Sequence, residues 1–301
     1  MRTDFLVRTR PWAIAALLCG VAWFPTRPLA AQVSRPESVE TTGVLRAPIS
    51  ESSGVAVSRQ HPGILWTHND SGDGPFLYAV RMDGTLLARF EVRNAAAVDW
   101  EDVALGPCPR SDDRCLYVGD TGDNLQRRKS VHVYIIPEPR TLSTEAPRDR
   151  VLKAQDLRLR YEDGPQDVEA LAITTEGDLL LATKGRAGPI TVYRALRDEL
   201  EAGSLRLTPW LTLDPAHQRA LGRQVTGAAV SPDGSQLVIR TYAEILFFAL
   251  DRNGARPIGG CWLGGWEQGE AVDFLDDSTL VLTSESAFGR DGRISKVRCT
   301  P

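Results

Sequence analysis

Three glutamates that share one position in a recurring segment are the residues of this 301-residue chain best suited to act together. They are Glu101, Glu169 and Glu270, and two further copies of the segment place Ser53 and Thr226 at the same position. Carboxylates that lie close together raise one another's pKa unless a cation lies among them. An all-oxygen group suits Ca²⁺. The alternative is that these glutamates are solvated or accept hydrogen bonds from neighbouring segments.

Two acidic turns of similar sequence supply more carboxylates. Residues 70–74 read DSGDG and residues 120–124 read DTGDN. Each turn places two aspartates three residues apart around a glycine, a spacing that can wrap oxygens around Ca²⁺ but does not match an EF-hand. We therefore add four residues to the candidate metal ligands: Asp70, Asp73, Asp120 and Asp123. The alternative is that Asp, Ser, Gly and Asn are present only because they favour turns.

A third group is basic, polar or aromatic and follows the second apolar run of several segments. Its members are His68, Lys184, Arg240 and Tyr242. Beside an acidic group and a metal ion they could hold a phosphate or carboxylate ligand, and Trp100 could stack on a sugar. Lys184 and Arg240 could instead pair with the glutamates.

Candidates for acid or base catalysis are Glu101, Glu169 and His68, because a histidine titrates near neutral pH. The alternative for His68 is a hydrogen-bonding role inside a strand. No Gly-x-Ser-x-Gly elbow occurs in the sequence, so a serine nucleophile of that kind is not indicated.

The elements that must position these residues are short strands in five repeats. The recurring segments begin at residues 53, 101, 169, 226 and 270, and each is followed by two or three further apolar runs bounded by turn residues. Five units of about four antiparallel strands predict an all-β fold, a β-propeller. The fifth unit lacks a fourth strand, which residues 41–46 could supply to close the ring. Six blades are the alternative if a degenerate blade lies between Glu101 and Glu169. Short helices are possible over 195–202 and 215–222.

The first 31 residues have the pattern of a secretory signal peptide. Arg2, Arg8 and Arg10 precede an apolar stretch over 12–24 that is too short to span a membrane, and cleavage is expected after Ala31. Removing residues 1–31 takes away four arginines and one aspartate, so the formal charge changes from −4 to −7. We expect a periplasmic or extracellular protein with no general attraction for nucleic acid or anionic lipid.

The rest of the chain shows no dividing linker. We expect a mobile tail over 32–36 and a single propeller domain over 37–301, present as a monomer. Four cysteines remain after cleavage, and an even number in an oxidising compartment indicates two disulfides. Cys108 with Cys115 is the favoured local pair, which leaves Cys261 with Cys299. The alternative is four free, buried thiols.

Three segments carry a resemblance to known proteins: residues 51–57 (ESSGVAV), 100–104 (WEDVA) and 268–272 (QGEAV). They resemble the blade starts of bacterial exported propellers called phytase-like or SdiA-regulated-like, and more distantly the gluconolactonase and β-propeller phytase group. Those families are six-bladed, whereas five repeats are counted here. The resemblance implies a divalent cation such as Ca²⁺ near the channel, with Glu101, Glu169 and Glu270 as the corresponding ligands. The mixed ligand set of a lactonase and the full basic set of a phytase are not found.

The function we expect is ligand binding, with Ca²⁺, at the end of the propeller's central channel where Glu101, Glu169 and Glu270 would lie. A divalent-metal-dependent hydrolase of phosphate esters or lactones is the second hypothesis. A protein-interaction scaffold in the cell envelope is the third, and its partner would be a protein bound by the acidic face.

Overall fold

The computed structural model describes residues 33–142, 149–186, 188–214, 221–264, 268–287 and 289–301. The expected signal peptide lies outside the described residues and stays a prediction. Two strands come before the first repeat, β1 (Val33–Ser34) and β2 (Ser38–Leu45).

Helical structure in the described residues is limited to two 3₁₀ turns, Arg197–Glu199 and Leu221–Arg223. The first lies within 195–202, where a short helix was expected. Most of the second expected helix, over 215–222, is outside the described residues. Within the described part of the chain, no helix has the length and apolar character needed to cross a membrane.

Five strands, one from each repeat, surround a central channel. They are β3 (Ser52–Val57), β7 (Trp100–Cys108), β12 (Val168–Ile173), β17 (Val225–Val230) and β21 (Gly269–Asp276). They contact one another in that order, and β21 returns to β3. The described residues therefore form a ring of five blades, as the repeats predict.

Two further antiparallel strands extend each blade outwards. The second strands are β4 (Ile64–Asn69), β8 (Ser111–Asp120), β13 (Leu179–Thr183), β18 (Gln236–Thr241) and β22 (Thr279–Ser284). The third strands are β5 (Phe76–Arg81), β9 (Val131–Pro137), β14 (Ile190–Ala195), β19 (Glu244–Asp251) and β23 (Gly292–Arg298). All ten contain the apolar runs from which strands were predicted.

A fourth strand completes every blade. In blades 1 to 4 it is β6 (Leu86–Arg93), β11 (Gln155–Tyr161), β16 (Pro209–Asp214) and β20 (Gly254–Trp262). In blade 5 it is β2, which pairs antiparallel with β23 from Ser38 opposite Arg298 to Leu45 opposite Gly292. The N-terminal strand thus supplies the missing fourth strand, as predicted.

Three blades also gain a short parallel strand at their outer edge. β10 (Asp149–Lys153) pairs with β6, β15 (Ser204–Leu207) pairs with β11, and β1 pairs with β20. Each of these strands comes just before the fourth strand of the following blade, so the chain covers one edge before it completes the next sheet. Very short edge strands of this kind limit pairing of the sheet with another chain. The tail expected over 32–36 is corrected in part, because Val33 and Ser34 pair with Gly260 and Cys261.

The same pattern removes the need for a sixth blade. The long interval between Glu101 and Glu169 holds the rest of blade 2 together with β10, which belongs to the edge of blade 1.

Large side chains pack the blades against one another. Between blades 1 and 2, Trp66 and Phe90 of blade 1 share one cluster with Trp100 and Tyr134 of blade 2. The ring of His68 in blade 1 lies 5.5 Å from that of Trp100 in blade 2. Burying one such side chain contributes about 1.5–3 kcal/mol. The blades are joined mainly by this packing, which holds the inner strands around the channel.

Two aspartates, the buried Asp102 and the half-buried Asp273, also tie inner strands of different blades together. The Asp102 carboxylate accepts hydrogen bonds from the backbone N–H groups of Leu171 in blade 3 (2.9 Å) and Ala228 in blade 4 (3.2 Å). The Asp273 carboxylate accepts one from Val57 in blade 1 (2.7 Å). Burial raises the pKa of both carboxyls, that of Asp273 to about 6.

The structure confirms both expected disulfides. Cys108–Cys115 closes the hairpin between β7 and β8, and Cys261–Cys299 joins β20 of blade 4 to the residue after β23 of blade 5. Bonds of this kind stabilise a domain by about 2–4 kcal/mol each.

Candidate functional site

Every inner strand carries a β-bulge at the same place, near the end of the channel where the strand begins; we call this end the channel mouth. Opposite the second strand, the pairing skips one residue of each inner strand. The skipped residues are Ser53, Glu101, Glu169, Thr226 and Glu270. A bulge leaves its extra residue out of the ladder and re-aims its side chain. The five positions predicted from the repeats are therefore the five bulged residues.

The two hydroxyls among these positions link blades and do not face a ligand. Ser53 Oγ donates to the carbonyl of Glu101 at 2.9 Å, and Thr226 Oγ1 donates to the carbonyl of Gly269 at 3.0 Å. Both side chains are buried. Their role is to connect neighbouring inner strands.

Three carboxylates meet at the mouth between blades 1 and 2. One oxygen each of Asp70, Asp99 and Glu101 lies within 4.8 Å of the others, and we call this group the acidic triad. Asp70 follows β4 of blade 1, whereas Asp99 and Glu101 lie at the start of β7 in blade 2. Among the described residues, no donor hydrogen-bonds to the Glu101 carboxylate.

Gly122 forms one wall of the acidic triad. A Cβ atom at this position would lie 1.9 Å from Glu101 Oε1 and 2.5 Å from Asp99 Oδ2. Only glycine allows the backbone to approach the two carboxylates this closely. The donor set is all oxygen and the space is tight, so the residues present fit a hard cation such as Ca²⁺.

The electrostatics of the acidic triad favour a bound cation. Burial and the nearby Asp70 carboxylate raise the pKa of Asp99 to about 6, although Arg128 opposes the shift. Burial, together with Glu169, Asp70 and Asp99, raises the pKa of Glu101 well above its ordinary range. Without a cation, these groups must bind protons or repel one another.

Blade 3 contributes a buried ion pair next to the triad. Lys184 Nζ lies 2.7 Å from Glu169 Oε1, and both side chains are almost fully buried. Burial raises the pKa of Glu169 to about 8 against the effect of Lys184. Burial alone would lower the pKa of Lys184, but the neighbouring carboxylates, led by Glu169, outweigh it and raise that pKa.

Blades 4 and 5 meet at the opposite side of the mouth, where Glu270, Arg240 and Tyr242 lie. The Arg240 guanidinium is buried and donates to the carbonyls of Ala271 and Thr283, the latter at 2.8 Å. Burial lowers the pKa of Arg240 to about 10. Arg240 is thus held by the backbone of blade 5, which leaves it little freedom to bind a ligand.

Glu270 and Tyr242 share this side of the mouth. Burial and the neighbouring Glu285 raise the pKa of Glu270 well above its usual range. Burial and the carboxylates of Glu270, Glu169 and Glu285 raise the pKa of the half-exposed Tyr242. Its hydroxyl therefore lies among the carboxylates of the mouth as a neutral donor.

The other three predicted metal ligands have protein partners of their own. Asp73 Oδ2 accepts hydrogen bonds from Asn69 Nδ2 at 2.7 Å and from the Tyr78 hydroxyl at 2.8 Å. Asp120 Oδ1 pairs with an Arg128 guanidinium nitrogen at 2.9 Å, and Asp123 Oδ2 accepts from the backbone N–H of Arg128 at 2.6 Å. The structure does not bring these three carboxylates into the acidic triad.

His68 and Trp100 are corrected from site residues to core residues. The His68 side chain is fully buried, its Nδ1 lies 2.9 Å from the carbonyl of Asn69, and burial lowers its pKa, so it stays neutral. The Trp100 indole is enclosed, meets the edge of the His68 ring at 5.5 Å, and donates to the carbonyl of Ala96 at 2.7 Å. It offers no free face to a sugar, because the packing between blades 1 and 2 covers it.

Sequence reasoning missed Asp99 and Glu285. Asp99 stands two residues before Glu101 in the same acidic stretch, so its sequence position was a usable signal. Glu285 follows β22, as Asp70 follows β4 and Lys184 follows β13. Aligning the five second strands by their last residues would have identified Glu285 as a candidate. Burial and Asp70 raise the pKa of Glu285 to about 7, so it too faces the mouth.

Comparison with known proteins supports the fold and stops there. No family model matches the chain, and no curated protein matches it. The PQQ-bound aldose sugar dehydrogenase from Streptomyces coelicolor is similar in structure, with a TM-score of 0.51 and 13% identity over 87% of this chain and 98% of that one. The apo aldose sugar dehydrogenase from Escherichia coli has a TM-score of 0.46 and 13% identity, covering 86% and 99% of the two chains. The chain belongs with β-propeller proteins in its architecture.

Proposed function

We propose that this chain is an exported β-propeller that binds a ligand at the channel mouth through Ca²⁺ held by the acidic triad. The observation that carries the proposal is the approach of three carboxylates from two blades to within 4.8 Å of one another. Burial and mutual repulsion raise the pKa values of Asp99 and Glu101, and a divalent cation would offset both effects. Ca²⁺ takes six to eight oxygens, so water and oxygens of the ligand would complete its coordination.

The ligand would contact polar groups that surround the triad. Lys184 and Tyr242 supply an ammonium and a hydroxyl on the same mouth, and an acceptor oxygen of the ligand suits both. Glu169 and Glu270 make the mouth acidic on its other sides, so the cation is needed to attract an anionic group. The resemblance to phytase-like and SdiA-regulated-like propellers agrees with a cation near the channel and remains part of this proposal.

Export is part of the proposal because it explains both the N-terminus and the cysteines. All four cysteines that would remain after cleavage are paired in the structure. Disulfides persist in oxidising compartments such as the periplasm.

The test is calorimetric titration of chelator-treated protein with CaCl₂. We expect saturable binding of one ion, and weakening by about tenfold or more in Glu101→Gln, because a charged ligand is replaced by a neutral one. Glu91→Gln is the matched control, since Glu91 lies exposed on β6, away from the mouth. Absence of both binding heat and a Ca²⁺-dependent rise in Tm for the unmodified protein would rule out the calcium site.

The Glu101→Gln variant also separates loss of binding from loss of folding. Removing one of the mutually repelling carboxylates is expected to raise the Tm of the metal-free protein. A variant that binds Ca²⁺ poorly while its Tm is unchanged or higher has lost the site and kept the fold.

A second candidate function is a divalent-metal-dependent hydrolase of phosphate esters or lactones. The observation in its favour is the buried Lys184–Glu169 pair beside the triad, whose Nζ and Oε1 atoms lie 2.7 Å apart and hold an exchangeable proton between them. Such a pair can donate a proton to a leaving oxygen. A screen of both substrate classes with and without Ca²⁺ tests this function, and turnover that is unchanged in Glu169→Gln would contradict the role of Glu169.

A further inference from the structure

A cavity of about 280 Å³ lies on blade 2, away from the central channel. It is bounded by the start of β9, the end of β11 and the edge strand β15. Five of its lining residues matter here, and we call their site the blade-2 basic cavity: Arg128, Lys129, Arg160, Tyr161 and Arg206. Four positive charges around one cavity are unexpected in a chain whose formal net charge is −4.

Three of the four cations have no acidic partner among the described residues. Arg128 is engaged, since its guanidinium pairs with Asp120 and donates to the carbonyl of Gly122 at 2.8 Å. No ion pair or side-chain hydrogen bond involves Lys129, Arg160 or Arg206 in that part of the chain. These side chains are exposed at the rim of the cavity and available to a ligand.

The backbone register places two of these cations directly side by side. In the parallel pairing of β11 with β15, Arg160 lies opposite Arg206. The pairs on either side of it, Leu159 with Leu205 and Tyr161 with Leu207, turn towards the core. Alternation along the strands therefore forces both arginines onto the same outer face. Like charges directly opposite one another destabilise a sheet unless an anion lies between them.

Tyr161 borders the cavity from the core-facing side of β11, opposite the two arginines. Its side chain lines the cavity and is 8% exposed, and its hydroxyl is buried without a hydrogen-bond partner. Buried hydroxyls are normally paired. Its ring packs on Tyr193 at 4.6 Å, which holds the hydroxyl in place.

We propose that the blade-2 basic cavity binds a tetrahedral oxyanion, a phosphate or sulfate group that is free or carried by a small molecule. Arg160 and Arg206 grip the oxyanion from two adjacent strands on the outer face, and Lys129 adds a third positive charge. Guanidinium groups match the geometry of such anions and bind them with charge-assisted hydrogen bonds. The site does not include any residue of the acidic triad.

The experiment is an NMR titration of the ¹⁵N-labelled full chain, in chelator, with sodium phosphate and with sodium chloride at equal ionic strength. Chelator keeps this test independent of the calcium site. We expect saturable shifts with phosphate at the amides around residues 128–131, 159–161 and 206. A parallel titration with glucose 6-phosphate distinguishes the sources: a lower Kd than for phosphate indicates a carried group, and an equal Kd indicates that the free ion suffices.

Variants test whether residues of the blade-2 basic cavity bind the phosphate. Arg160→Gln and Arg206→Gln should each weaken phosphate binding by about tenfold, since each removes a charge-assisted contact. Arg160→Lys should recover part of the loss. Arg256→Gln is the matched control, because Arg256 lies exposed on β20 of blade 4. Non-saturable shifts, or equal weakening by Arg256→Gln, would overturn the proposal.

Tyr161→Phe is a second control, on the same strand as Arg160 but on its opposite, core-facing side. It keeps the ring against Tyr193 and removes only the buried hydroxyl. We expect an unchanged phosphate affinity. Weakening as large as that of Arg160→Gln would contradict a site on the outer face.

Discussion

The segments at the ends of β4 and β8 have nearly the same sequence, DSGDG and DTGDN, yet they differ in register by one residue and in electrostatic state. Asp70 is the first residue after β4, whereas Asp120 is the last residue of β8, opposite Trp100. In the blade-1 turn, Asp70 reaches the acidic triad and finds two more carboxylates. In the blade-2 turn, Asp120 and Asp123 are both held by Arg128. The loop of blade 2 runs on to β9 at Val131 and so has room for Arg128, whereas β5 begins at Phe76, directly after the blade-1 turn.

The glycines of these two turns differ for a related reason. Gly72 has a φ of +98°, and a Cβ there would meet nothing within 4 Å. Gly122 has no such positive φ, but a Cβ there would strike Glu101 and Asp99. One glycine permits a backbone conformation and the other permits a close approach. A repeated motif therefore specifies a turn, and its register on the strand together with the neighbouring blade decides what the turn does.

The largest expected effect on the free energy of unfolding comes from removing the Arg128 guanidinium, which distinguishes the blade-2 turn. Arg128→Gln would leave Asp120 buried without its partner, and breaking a buried pair in this way costs about 3 kcal/mol. The free energy of unfolding from urea denaturation at pH 7 measures it. Arg127→Gln, at the exposed neighbouring residue, should change the free energy by less than about 0.5 kcal/mol. Equal effects from the two variants would contradict the role given to Arg128.

The matched glycine variants should separate calcium binding from backbone strain. Gly122→Ala forces the triad apart, so we expect the calcium affinity to fall by about tenfold, a loss of about 1.4 kcal/mol in binding. Gly72→Ala should lower the free energy of unfolding by about 1 kcal/mol, because alanine is strained at positive φ. It should leave the calcium affinity nearly unchanged. If Gly72→Ala impairs calcium binding as much as Gly122→Ala does, the wall formed by Gly122 is not what shapes the site.

The smallest effect should be in the pH dependence of stability. The pKa of Asp99 is about 6 in the folded chain, above the ordinary value of 3.8. Between these values the folded chain holds a proton that the unfolded chain has lost, so stability falls as the pH rises through this window and is recovered on acidification. In chelator, Asp99→Asn should reduce the rise in Tm between pH 7.5 and pH 5 by about 2 °C.

The comparison with the blade-1 turn provides the control for this measurement. Asp73→Asn alters a carboxylate that is hydrogen-bonded to Asn69 and Tyr78 and lies outside the triad. Its Tm should follow the pH profile of the unmodified protein, whatever its absolute value. A flattened profile in Asp73→Asn, equal to that of Asp99→Asn, would show that Asp99 is not the source.

Much of the fold could be predicted from local sequence patterns. Short apolar runs bounded by turn residues placed the strands of all five blades, because a strand between two packed blades is buried on both faces. The edge strands β10 and β15 were not predicted. Each of them pairs with the blade that precedes it in the chain, and no local pattern predicts which sheet a short strand will join.

The position of the candidate site could be predicted from the sequence, but only some of its residues could. Glu101, Glu169 and Glu270 were found because the repeat aligned them, and the bulges confirm that they are equivalent positions. Asp99 and Glu285 were missed, whereas Trp100 and His68 were included, because exposure depends on packing from a neighbouring blade.

By itself the sequence predicted five blades, the order of their strands and the strand that completes the fifth blade, and it favoured both disulfide pairs. The blades follow from patterns within one repeat and from the count of repeats, whereas the disulfides follow from the even number of cysteines and one favoured local pair. Only the tertiary structure decided which charges meet. Asp70 comes from a different blade than Asp99 and Glu101, and Arg128 reaches back to Asp120. Electrostatic energy depends on distance in space and on burial. Two turns of almost identical sequence therefore differ: Asp70 of one contributes to a candidate cation site, whereas Asp120 and Asp123 of the other are bound by Arg128.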